Sequence, residues 1–225
     1  ETYIGLVTAD QPEAPSYFSY DAEMNTRERQ TLDQSLAGGP PSLTLAEVLS
    51  ARDEGAQLLD IREGDDFAGA HLVGSINIDL DGKFASWAGA LLAHDRPIVL
   101  IGAPGSQEEA AMRLGRIGFD NVAGYLADGM MALAKSPQLV GRVERITALT
   151  LHEQRLEGTS VCVLDVRAPG EREQDQIPES THIPLPQLLR QLDELPRDRP
   201  LIVHCAGGYR SAVAASLLLL HGFEQ

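Results

Sequence analysis

Cys205 and Arg210 are separated by Ala206-Gly207-Gly208-Tyr209, and Ser211 follows directly. Upstream, Leu201-Ile202-Val203-His204 is an apolar run that reads as a strand; downstream, Ser211 to Leu220 is apolar almost all round and reads as a deeply packed helix. A thiol between a strand end and a helix start faces free N–H groups and the positive end of the helix dipole. Both favour the thiolate, which is the nucleophilic form of cysteine. Gly207 and Gly208 let the loop curl so that successive N–H groups face inward as an anion nest. Arg210 supplies a planar, permanently charged fork for an oxyanion. Ser211 can cap the helix, hydrogen-bond the sulfur, or do both. Tyr209 either shapes access to the thiol or is an exposed aromatic. The chemistry such a loop offers is nucleophilic attack by sulfur on a bound anion.

The elements that must position this loop occur twice. Leu58-Leu59-Asp60-Ile61-Arg62 is echoed by Val163-Leu164-Asp165-Val166-Arg167, and Gly74-Ser75-Ile76-Asn77-Ile78 by Glu179-Ser180-Thr181-His182-Ile183. Asp95-Arg96-Pro97-Ile98-Val99-Leu100 answers to Asp198-Arg199-Pro200-Leu201-Ile202-Val203, and Gly118-Phe119 to Gly222-Phe223. Four blocks in the same order at nearly constant offset are two copies of one unit. In the first copy Leu43 to Arg52 reads as a helix with Thr44 and Glu47 as a capping box. Gln57 to Ile61, Ser75 to Leu80, Pro97 to Ile101 and Asn121 to Tyr125 read as strands, and Gln107 to Ile117 as a helix. Continuous apolar strands between helices imply a parallel sheet covered on both faces, an α/β architecture. The expected division is an arm and linker over 1–41, a first domain over 42–135, a linker over 136–145 and a second domain over 146–225. The second copy ends before a counterpart of Asn121 to Tyr125, so this domain is expected to be incomplete at its C-terminal end.

Composition narrows the class. The chain has 225 residues and a formal net charge of −15, which argues against nucleic acid or an anionic membrane as partner. From Arg142 onward there are 9 Lys+Arg against 12 Asp+Glu, and in the remainder 9 against 21, so the half holding Cys205 is the less acidic. The longest apolar run is too short to span a bilayer. Two cysteines do not make a disulfide framework, and a reducing, cytoplasmic compartment is expected. Cys162 lies in an apolar strand-like run and reads as inert and buried. No CxxC pair or His/Cys/Asp cluster calls for a metal, and no cofactor is expected.

The segment Cys205-Ala206-Gly207-Gly208-Tyr209-Arg210-Ser211 resembles the active-site loop of rhodanese-like sulfurtransferases. Leu58 to Arg62, Gly69-Ala70-His71-Leu72-Val73-Gly74-Ser75 and their second-copy partners resemble that family's other signature segments. The resemblance covers about 43–134 and 146–225 and implies two tandem rhodanese-like domains, each a parallel sheet flanked by helices. It also implies a reaction: Cys205 takes a sulfane sulfur from thiosulfate or a low-molecular-weight persulfide, holds it as a persulfide, and passes it to a thiophilic acceptor. Arg210 would then clamp the substrate anion, while Ala206, Gly207, Gly208, Tyr209 and Ser211 would line the substrate site. Phosphatases of the same fold carry five residues between cysteine and arginine, whereas four stand here, which suits a sulfur atom better than a phosphoryl centre. The alternatives are a non-catalytic persulfide relay serving an upstream domain and, further off, a phosphatase or arsenate-type reductase.

The first copy departs from this pattern. Gly102 stands opposite Cys205, Gln107 opposite Arg210 and Glu108 opposite Ser211, so this copy is expected to be non-catalytic. Val7 to Phe18 resembles the segment after a metallo-β-lactamase-fold domain in fusions with rhodanese repeats, where the upstream domain is often a persulfide dioxygenase-like enzyme with an iron site. Nothing in this chain supplies such a metal cluster. His204 precedes the thiol on a strand and should point to the opposite face, away from a base role. Asp60/Arg62 and Asp165/Arg167 recur in both copies and read as structural ion pairs. Trp87 reads as core or interdomain packing, and Glu171, Glu173 and Asp175 as solvated surface.

Overall fold

A computed structural model describes residues 38–224. The expectations on the N-terminal arm before Gly38 fall outside the described residues. The first copy runs β1 (Ser42–Leu43), α1 (Leu45–Asp53), β2 (Gln57–Asp60), α2 (Gly64–Gly69), β3 (His71–Leu72), β4 (Ser75–Asn77), α3 (Phe84–Leu91), β5 (Ile98–Ile101), α4 (Ser106–Gly115) and β6 (Val122–Leu126). A short strand β7 (Val140–Gly141) pairs antiparallel with β3. The second copy runs α5 (Ala148–Leu156), β8 (Cys162–Asp165), α6 (Pro169–Gln174), β9 (Thr181–His182), two 3-10 turns (Leu185–Arg190 and Leu192–Glu194), β10 (Leu201–His204) and α7 (Tyr209–Leu220).

Both main sheets are parallel. The first has the order β1-β6-β5-β2-β4 and the second β10-β8-β9, the same order as β5-β2-β4. The strands β2 and β5 are buried at every position, as a sheet covered on both faces requires. The capping box is present: Thr44 Oγ1 accepts the Glu47 N–H, and Glu47 returns its carboxylate to the Thr44 N–H. Helix α7 starts two residues earlier than the apolar pattern indicated. Its N-cap is Gly208, not Ser211.

Each copy also carries the same brace. Arg62 pairs with Asp60 and donates to the Ala70 carbonyl; Arg167 pairs with Asp165 and donates to the Asp175 carbonyl. These are structural ion pairs that hold the loop after the strand. Burial pushes the Asp60 carboxyl up despite Arg62. Asp165 is buried too, but hydrogen bonds from Arg167, with the nearby His204, hold its carboxyl at about 2, and Arg172 also lies against it.

The copies do not stand apart. Leu59, Ile78 and Phe84 of the first belong to one apolar cluster with Leu164, Val213 and Leu217 of the second, and Trp87 and Tyr209 pack against it. Helix α7 lies along β4, the edge strand of the first sheet. The Asn77 N–H on that edge donates to Ser216 Oγ at 2.9 Å, and both residues are buried. At Gly64 the helices α2 and α7 are so close that a Cβ would stand 2.7 Å from Ala212 Cβ. No helix among the described residues is long and apolar enough to cross a membrane.

Candidate active site

Cys205 sits where β10 ends and α7 is about to begin. Gly208 closes the turn with φ 91°, a left-handed conformation that favours glycine. The turn aims the Gly208 N–H at Sγ of Cys205 (3.1 Å) and the Ser211 N–H at the same sulfur (3.4 Å). Ser211 Oγ lies 3.5 Å from the sulfur and also donates to the Gly208 carbonyl at 2.9 Å. A hydroxyl has a single proton. It can point at the carbonyl while the thiol donates to Oγ, and turn to the sulfur once the thiol is ionised. Burial of the sulfur opposes ionisation. Hydrogen bonds from the Ser211 hydroxyl and N–H and from the Gly207 and Gly208 N–H groups outweigh it, so the Cys205 pKa is lowered.

Arg210 is within electrostatic reach of Cys205, but its fork is occupied. Nη1 and Nη2 donate to the two carboxylate oxygens of Glu171 at 2.5 and 2.7 Å. The Arg210 hydrogen bonds hold the Glu171 carboxyl at about 2. Glu171 was expected to be plain solvated surface; it is instead the partner of the loop arginine and also accepts the Ala168 N–H at 3.0 Å. Tyr209 turns away from the thiol, and its hydroxyl donates to the Asp79 carbonyl of the first copy at 2.9 Å. Burial raises its hydroxyl pKa. Its ring lies against Gly82. Tyr209 therefore ties the loop to the other copy. Ala206 and Gly207 are exposed at the mouth.

Two more groups were missed because they arrive from distant sequence. Arg145 brings a guanidinium nitrogen to 3.9 Å from where a Gly208 Cβ would stand, and it pairs with Asp65 of α2. Asp79 offers the carbonyl that anchors Tyr209. A signal for Glu171 does exist in the repeat: Asp66 occupies its place in the copy where Gln107 replaces Arg210. Burial lowers the pKa of His204, which faces Asp165 Oδ2 at 3.6 Å and not the thiol, as strand alternation required. Cys162 is half-buried, less enclosed than its apolar run suggested, with Sγ 3.8 Å from Thr181 Oγ1.

In the first copy the backbone of the loop is preserved, but Gly102 and Gln107 stand where the second copy has Cys205 and Arg210. Gly105, at φ 92°, caps α4 as Gly208 caps α7. The Gly105 N–H, the counterpart of the one aimed at the sulfur, donates to Gln107 Oε1 at 2.9 Å. Gly102 has no room for a side chain: a Cβ would stand 2.7 Å from Ile61 Cγ1 and 2.5 Å from Ser106 Oγ. A cavity of about 280 Å³ remains beside this loop.

The family model for the rhodanese-like domain matches residues 44–136 and 148–225. A protein of Allochromatium vinosum named sulfurtransferase is 28% identical over 81 residues, which are 36% of this chain and 76% of that one. The protein YqhL of Bacillus subtilis is 35% identical over 74 residues, 33% of this chain and 59% of that one. Among solved structures, a thiosulfate sulfurtransferase from Pseudomonas aeruginosa is 20% identical with a TM-score of 0.39. That likeness covers 84% of this chain but 43% of the Pseudomonas chain.

Proposed function

From the premise that the chain belongs to the rhodanese-like domain family, we propose that it is a sulfurtransferase whose second copy carries a sulfane sulfur on Cys205. The observation that carries this reading is the convergence of the Gly208 and Ser211 N–H groups on Cys205 Sγ. Neutral donors at the sulfur stabilise a thiolate and, after transfer, the terminal sulfur of a persulfide.

With thiosulfate as donor, the Cys205 thiolate attacks the outer sulfur, the donor S–S bond breaks, and sulfite leaves with the bonding pair. With a low-molecular-weight persulfide such as that of glutathione, the leaving group is the thiolate. Cys205 then holds S–S⁻, and an acceptor thiolate attacks the outer sulfur, returning the Cys205 thiolate and releasing the acceptor persulfide. Gly102 and Gln107 supply neither nucleophile nor cation, so the first copy serves as scaffold. We take 42–135 and 146–225 as the two units, working in a reducing compartment. We also propose an upstream metallo-β-lactamase-fold domain in the native polypeptide as a partner, with a persulfide relay serving that domain as the alternative reading.

The test is mass spectrometry of the protein after exposure to thiosulfate or glutathione persulfide. The expected outcome is a gain of about 32 Da, one sulfur, on the wild type and none on Cys205→Ser. Absence of the adduct with every donor overturns the reading. Hydrolysis of an aryl phosphate that depends on Cys205 would favour a phosphatase.

A further inference from the structure

We propose that Glu171 is an internal competitor for the oxyanion clamp, so that it sets how tightly the site takes donors that carry an oxyanion. This rests on the sulfurtransferase reading and narrows it to one specificity-determining residue.

Arg210 offers a planar fork of paired N–H donors. A guanidinium binds a carboxylate or a sulfonate through the same pair of parallel N–H donors. In this structure that pair is engaged by Glu171 Oε1 and Oε2. The sulfonate oxygens of thiosulfate would ask for the same geometry. They can take it only as Glu171 lets go, or settle for the remaining donors. The exchange is sterically open, because Arg210 and Glu171 keep 23% and 37% of their side-chain surface exposed. Once released, Glu171 regains water and keeps its bond from the Ala168 N–H.

The thiolate is stabilised chiefly by other groups. Its strongest hydrogen bonds come from Ser211 and from backbone N–H groups, and Arg210 adds its charge and a further hydrogen bond to Cys205. Binding of the oxyanion thus falls to Arg210, while activation of the nucleophile falls chiefly to Ser211 and the backbone N–H groups, and Glu171 acts mainly on the first. The second cation at the loop repeats the arrangement: Arg145, beside Gly208, comes with Asp65 attached. A persulfide has no oxyanion at its reacting end and needs no exchange at Arg210. Donors are therefore sorted by the group next to the transferred sulfur.

The experiment compares wild type with Glu171→Gln and Glu171→Ala. Glutamine keeps an acceptor for Arg210 and Ala168 but removes the charge; alanine frees the fork entirely. Thermal melts confirm that each variant is folded. Sulfate binding is read by calorimetry, and steady-state kinetics with thiosulfate and with glutathione persulfide are measured in parallel. The expected result is a fall of about two- to fivefold in both the sulfate Kd and the thiosulfate KM, the range a part-exposed ion pair converts to. The KM for the persulfide should stay at its wild-type value. Unchanged sulfate affinity in both variants overturns the proposal. So does weaker sulfate binding, which would make Glu171 a group that merely orients Arg210. Failure of the wild type to take sulfur from any donor would sink the sulfurtransferase reading, while the sulfate measurement would still decide the competition.

Discussion

The loops at Gly102 and Cys205 share a backbone and differ in where their inward N–H groups go. In each, a left-handed glycine closes the turn and caps the following helix. In the second copy the glycine N–H reaches sulfur; in the first it reaches the amide oxygen of Gln107. One side chain has taken over the nest that the other copy leaves for an anion. The space has changed as well, because Ile61 and Ser106 fill the volume a side chain at Gly102 would need. The first copy therefore differs from the second by more than the absence of a cysteine. The space at the nucleophile position itself is filled, though a cavity of about 280 Å³ remains beside the loop.

That difference sets the largest effect to look for. In a Gly102→Cys, Cys205→Ser double variant, turnover of thiosulfate should stay at background, a loss of at least about a thousandfold from wild type. Adding Gln107→Arg should not recover it, since Ile61 still blocks the new side chain. Robust turnover in either variant would mean that the two loops differ only in sequence.

Gly64→Ala comes next. It drives a methyl into Ala212 at the base of α7 and should cost about 1–3 kcal/mol in denaturant unfolding. Ala212→Gly in the same chain should restore most of the loss. Without rescue, the close approach of the two copies is not what holds α7.

A smaller effect concerns the thiol. The lowered pKa of Cys205 keeps thiolate present at lower pH than for an ordinary cysteine, so its alkylation rate should persist toward neutral pH. Ser211→Ala should move that profile to higher pH and slow alkylation at pH 7 by up to about tenfold, the worth of one hydrogen bond to a charged atom at the low end of its range. A superimposable profile would leave the N–H groups alone responsible.

The smallest effect separates the copies by acid. Asp165 and Glu171 are held at about 2, below their unfolded values near 4, so the stability they contribute is present above about pH 4 and lost as pH falls toward 2. Asp60 is shifted upward and works in the opposite sense. Hydrogen exchange between pH 5 and pH 3 should therefore weaken β8 and α6 before β2. Uniform loss of protection would show that the shared core, not these carboxylates, governs the acid limit.

The contrast between the copies also separates what local sequence carries from what it does not. The loop from Cys205 to Ser211 was legible because its donors, sulfur and cation are neighbours in the chain, and the repeat made the α/β plan legible because each block occurs twice. Family membership followed from the same segments. Glu171 lies 39 residues from Arg210, and Asp79 lies 130 from Tyr209. Glu171 reaches Arg210 through the fold of the second copy, and Asp79 reaches Tyr209 through packing of one copy on the other; a charged residue in a loop looks the same whether or not an arginine waits for it. The early start of α7 has a similar cause. A left-handed glycine can cap a helix as well as a serine can, and the sequence pattern favoured the serine.

The bond from the Asn77 N–H to Ser216 Oγ bears on how this chain can be taken apart. It closes the outer strand of one sheet with a helix grown from the other. A fragment ending before Leu201 would carry the whole first sheet yet bare the β4 backbone, with Ile76 beside it, to any strand that came near. Such a piece would self-associate instead of standing as a soluble half. The first copy is thus shielded by the second, and a cut between them would turn a covered sheet edge into a seed for aggregation.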